Sequence, residues 1–125
     1  MGRVSWAAVG VVALGGALGA LVRYGLGVAF PHAPGSFPWV TFAINVTGCL
    51  FIGALAVVVA TQRLLRLLVG TGILGGFTTF STYVVDVQQL IGAGRAGLAM
   101  VYLGGTVVSA LAAVWAGDAL ARRLR

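Results

Sequence analysis

Apolar residues fall into four long runs, at about 5–30, 39–61, 64–91 and 98–120, separated by short polar stretches. A hydrocarbon core about 30 Å thick is crossed by roughly 20 helical residues. Each run therefore predicts one membrane-spanning helix. The first carries Gly15 and Gly19, four apart, the small-residue spacing that lets two helices approach closely in lipid. Residues 31–38, "PHAPGSFP", hold all three prolines and end that helix. Trp39 opens the second run where an interfacial anchor belongs. "TQRLLR" and "GAGRAG" are the remaining turns. The third run is long for one crossing. At its centre lies its most polar stretch, "GGFTTFSTY", residues 75–83.

Composition agrees with the pattern. The chain has 125 residues, 60% hydrophobic and 8% charged, against about 25% charged in a soluble domain. Its net charge of +6 does not point to nucleic acid, because there is no lysine and the arginines are scattered between the runs. Arg3, Arg63, Arg66, Arg122, Arg123 and Arg125 fall on one side of a four-span layout, and Arg95 with Arg23 on the other. The positive-inside rule then puts both termini in the cytoplasm. Cys49 stands alone, so no disulfide forms within one chain. His32, in the proline loop, reads as a solvated side chain. The first run is too long for a cleaved leader and reads as a retained helix.

Polar groups inside the apolar runs carry the chemistry. A glycine pair followed by two threonines is a poor helix interior, since glycine costs about 1 kcal/mol relative to alanine and threonine hydroxyls compete for backbone carbonyls. A break near residues 75–79 is expected. Carbonyl oxygens freed there are ligands for a hard cation such as sodium. Phe80 and Tyr83 share a face and offer ring edges, which carry partial positive charge. Asn45 is a lone amide in the second run. Tyr102, Thr106 and Ser109 form a polar stripe along the fourth. Uncharged donors suit a small hydrated anion that must bind and then leave. Two ionisable residues remain. Arg23 lies late in the first helix, where it draws anions to a vestibule or snorkels to the interface. Asp86 needs an interior partner, for which Arg23, an arginine of another subunit and nearby hydroxyls are the candidates. No catalytic constellation is present, so an enzyme is not expected.

With these residues in place, the chain resembles the Fluc (CrcB) family of fluoride channels. "GGFTTFSTY" is similar to the family's signature, and the likeness extends through "GGALGALVRYGLG" (15–27) and "WVTFAINVTGCLFIG" (39–53). The resemblance implies an all-α fold of four transmembrane helices, the third broken, paired as an antiparallel dual-topology dimer. It implies two fluoride pores and a structural sodium ion held by the backbone carbonyls of Gly75 and Thr78. By motif position the pore residues would be Asn45, Phe80, Tyr83 and Tyr102, with Thr106, Ser109 and Ser81 extending the polar track and Arg23 in the vestibule. Two departures stand out. Tyr83 replaces a more usual phenylalanine, and Asp86 a more usual glutamate. The arginine bias leaves both a homodimer and a pairing with an oppositely oriented paralogue open. The main rival is a small proton-coupled multidrug exporter, which needs a carboxylate in its first helix; this chain has none there.

Overall fold

The computed structural model describes residues 3–125, and every regular element in them is helical. Helix α1 (Trp6–Ala29) starts at Ser5, whose hydroxyl accepts the Ala8 N–H at 3.4 Å. The proline loop leads to α2 (Trp39–Val58). The third span, Arg63–Gly92, has two limbs. The first is α3, residues 63–77, whose middle (Arg66–Leu74) is wound as a wide π-helix. The second is α4 (Ser81–Gly92). Gly94, at φ 75°, turns the chain in the left-handed region that glycine enters without strain. Helix α5 (Ala96–Arg123) completes the fold. All four spans are long and apolar enough to cross a membrane.

Two glycine-lined seams hold the helices together. Along α1 and α3, a methyl group on Gly19 would strike the Ile73 carbonyl, and one on Gly76 the Gly16 carbonyl. Along α2 and α5, Gly53 meets the Val114 carbonyl and Gly117 the Leu50 carbonyl in the same way. Lipid gives helices no hydrophobic reason to associate, so close backbone contact of this kind supplies the packing. A compact core of Tyr83, Val87, Leu90, Ala99 and Tyr102 joins α4 to α5, with Phe37 and Phe42 packed against it. Large apolar side chains, among them Trp6, Leu21, Phe51, Val101 and Trp115, cover the outside.

The element limits differ from the hydrophobic runs in physically simple ways. Helix α2 stops at Val58, where a turn closes with the Gln62 N–H donating to the Val59 carbonyl at 3.1 Å. Helix α5 outlasts its apolar run and reaches Arg123, its last turn carrying an Asp118–Arg122 ion pair at 2.8 Å. Gly75 and Gly76 remain helical, and the chain departs from the helix only at residues 78–80. Gly76 serves a different end: it lets α3 lie directly on α1.

Candidate ion-binding groove at the helix break

The break begins at Thr78, whose backbone is extended (φ −73°, ψ 155°). Its N–H still reaches the Leu74 carbonyl at 3.0 Å, and its hydroxyl donates to the same oxygen at 3.0 Å. The next peptide leaves the helix, and groups cut off from helical partners at this depth need replacements. Asn45 provides two of them. Its Oδ1 accepts the Thr79 N–H at 2.8 Å, and its Nδ2 donates to the Thr79 carbonyl at 2.9 Å. The carboxamide thus reads the Thr79 backbone as a second strand would. Arg23 provides a third: its Nε donates to the Gly76 carbonyl at 3.2 Å. The Thr79 hydroxyl caps the new helix by accepting the Thr82 N–H at 3.2 Å, and it donates to the Thr82 hydroxyl at 3.1 Å.

Three backbone oxygens stand apart from this repair. Among the described residues none donates a hydrogen bond to the carbonyl of Gly75, Phe77 or Thr78, while those of Gly76 and Thr79 are taken. No group of three or more His, Cys, Asp or Glu side chains able to hold a metal occurs among the described residues. Neutral carbonyl oxygens are therefore the ligands this part of the chain offers, and a hard cation takes oxygen.

Beside the break runs a groove of about 330 Å³. Asn45, Thr78, Thr79, Phe80, Tyr83 and Thr106 line it, with Cys49 and three aliphatic residues, and none of the lining residues is charged. Phe80 is 75% exposed and projects from the protein. Its ring lies 5.8 Å from that of Tyr83, tilted by 52°. Tyr83 is buried and donates its phenol to the Leu103 carbonyl at 2.5 Å. The Thr106 hydroxyl is buried, with no hydrogen-bond partner among the described residues. Buried hydroxyls are nearly always paired, so an orphan on a residue that lines the groove is a candidate binding group.

The structure gathers some of the residues singled out in the sequence and sets others apart. Asn45, Phe80, Tyr83 and Thr106 share the groove. Tyr102 sits one ring behind it, wholly buried, 5.2 Å from Tyr83 in an edge-to-face contact. Its hydroxyl donates to Asp86 Oδ2 at 3.0 Å, which gives that carboxylate its interior partner. Ser81 is exposed, its hydroxyl 3.4 Å from that of Thr79, and half-buried Ser109 lies on α5 outside the groove lining. Arg23 and His32 line a second cavity of about 250 Å³ with Thr41, Thr79, Thr82 and Asp86. Arg23 thus faces this cavity while reaching inward to the break. Thr79 is the residue that sequence reading passed over. Its one visible signal was a threonine placed three residues before Thr82, the spacing of a helix cap.

A small polytopic helical membrane protein, with a broken span and a groove of uncharged donors, belongs to the class of channels and transporters. Comparison with known proteins narrows this. The family described as "CrcB-like protein, Camphor Resistance (CrcB)" matches residues 10–118, and the chain belongs to that family. It is 50% identical over 115 residues to Fluoride-specific ion channel FluC 2 of Nocardia farcinica, covering 89% of this chain and 82% of that one. Identity is 48% over 120 residues to Fluoride-specific ion channel FluC 1 of Streptomyces coelicolor, covering 93% and 78%. It is 43% over 122 residues to Fluoride-specific ion channel FluC of Agrobacterium fabrum, covering 93% and 97%. The family consists of ion channels and not enzymes, and the chain is a multi-pass protein of the plasma membrane.

Proposed function

We propose that the chain is a fluoride-selective channel that exports the ion passively. One observation carries the reading beyond the names of its relatives: a groove lined wholly by uncharged residues contains a buried, unpartnered hydroxyl, that of Thr106. Fluoride holds its water tightly, and a fixed cation would retain the ion. Amide, hydroxyl and ring-edge groups replace water without trapping the ion. Asn45 spends one N–H on Thr79 and keeps the other for the groove. Phe80 and Tyr83 offer ring edges, and Thr106 offers its hydroxyl. Arg23 gathers anions in the second cavity, where the Tyr102 hydroxyl holds the Asp86 carboxylate that shares the lining. Hydrogen fluoride crosses membranes neutral and ionises inside. A negative-inside potential then drives fluoride out with about 2.3 kcal/mol per elementary charge per 100 mV.

The assembly in this reading is an antiparallel dimer with two pores. The outward ring of Phe80 supports it, since a lone chain leaves Phe80 with no second wall. The six-to-two arginine bias gives the single chain a preferred orientation, so its partner is a copy that tolerates inversion or an oppositely oriented paralogue. A sodium ion fits the break: the Gly75 and Thr78 carbonyls are among those left unbonded there, while Arg23 and Asn45 occupy those of Gly76 and Thr79. When bound, the ion would supply a fixed positive charge that draws the carbonyls of two copies together.

The test is fluoride efflux from liposomes holding the purified chain, read with a fluoride electrode and no pH gradient. Fluoride is expected to leave, and Phe80→Ile to stop it. Drug-dependent proton flux in place of fluoride efflux would overturn the reading. The absence of Asp and Glu from α1 already weighs against that outcome. Activity of the chain alone, against activity only with a second paralogue, decides the partner.

A further inference from the structure

Tyr83 does one thing that a phenylalanine in its place would not. Its phenol donates to the Leu103 carbonyl of α5 at 2.5 Å, and so spends its proton away from the groove. In a regular helix that carbonyl already accepts the N–H four residues on; the phenol takes its second lone pair. Leu103 precedes Thr106 by three residues, close to one helical turn. The bond therefore ties the wall that carries Tyr83 to the wall that carries Thr106 at the depth where both line the groove. The Tyr83 ring is also wedged between two others, 5.8 Å from Phe80 and 5.2 Å from Tyr102. The hydroxyl bond and the two ring contacts together hold the ring in place.

We propose that the Tyr83 hydroxyl is a positioning group that sets the groove's width and holds the ring edge toward the ion, and so sharpens the choice of fluoride over larger anions. The inference rests on the channel reading above. It assigns the hydroxyl no contact with fluoride, because its only proton is committed to Leu103. A narrow passage discriminates by size only if its walls are stiff, and α4 has few other polar ties to α5. The Tyr102–Asp86 bond is the second, one layer behind.

The test is Tyr83→Phe, which keeps the ring and removes the bond, with fluoride and chloride efflux measured separately from the same liposomes. Chloride efflux is expected to rise. The fluoride-to-chloride ratio is expected to fall roughly tenfold, the scale set by losing one hydrogen bond. An unchanged ratio would overturn the proposal. So would a loss of fluoride efflux with no gain in chloride, the signature of a hydroxyl that touches the ion. A variant that no longer purifies with the native oligomeric size would also count against it, since the hydroxyl would then serve folding. A native chain that carries no fluoride overturns the channel reading itself, an outcome distinct from all of these.

Discussion

The third and fourth spans are close in length, 30 and 28 residues, and each holds a glycine pair with a threonine just after it. Gly75–Gly76 precedes Thr78 and Thr79; Gly104–Gly105 precedes Thr106. The third span breaks and the fourth runs straight through. Glycine weakens both helices alike, and the added hydroxyls of Thr79, Ser81 and Thr82 in the third do not by themselves open a helix in lipid. The two spans differ in their neighbours. Asn45 on α2 and Arg23 on α1 supply hydrogen bonds to the backbone at 76–79, so leaving the helix there costs little. No side chain among the described residues hydrogen-bonds to the backbone at 104–106, and helical bonds remain its best option. A break inside a membrane forms where another helix has already provided the replacement partners.

The strongest way to break this comparison is Asn45→Asp. The variant keeps an acceptor for the Thr79 N–H but sets a carboxylate oxygen against the Thr79 carbonyl, and it puts negative charge in an anion's path. Fluoride efflux should vanish in the liposome assay. Efflux near the native level would mean that the amide neither holds the break nor meets the ion. Next in size is Gly76→Ala. Its methyl would press on the Gly16 carbonyl, and forced overpacking costs about 1–3 kcal/mol, read as a lower melting temperature in detergent. Gly104→Ala is the matched control in the straight span. Nothing lies within 4 Å of its added methyl, so within the chain only the gain in helix propensity remains, about 1 kcal/mol or less. Equal damage from the two would sink the claim that the glycine pairs have different duties. Smallest in stability is Thr106→Val. Removing a buried hydroxyl that has no partner should leave stability unchanged or raise it by up to about 1 kcal/mol, read as an equal or higher melting temperature, while fluoride efflux falls. A marked loss of stability instead would show that Thr106 serves packing.

Much of the architecture was legible in residue order. Four apolar runs, with proline, glycine and arginine between them, correspond to four spans because backbone in lipid must satisfy its own hydrogen bonds. The Gly15–Gly19 spacing pointed to a tight seam without naming its partner, which is α3. The groove was half legible. Asn45, Phe80, Tyr83 and Thr106 stand out as polar or aromatic groups where lipid would not have them. That Tyr102 turns away to Asp86, and that Asn45 is first a clamp on Thr79, depended on which helices lie side by side. The π-helical stretch at Arg66–Leu74 left no periodic signal, since a one-residue change in winding is lost in a run where nearly every position is apolar.

Taken by itself, the order of residues determined that this protein lives in a membrane, crosses it four times and carries uncharged donors at mid-depth. Those outcomes follow from the cost of exposing charge or bare backbone to hydrocarbon, which each segment meets alone. Only the tertiary structure decided at which residue of the 75–83 stretch the third span opens, which carbonyls stay unbonded and which hydroxyl is left unpaired beside the groove. Each of those is settled by a partner on another helix, and a hydrogen bond between helices has no trace in the sequence of either one.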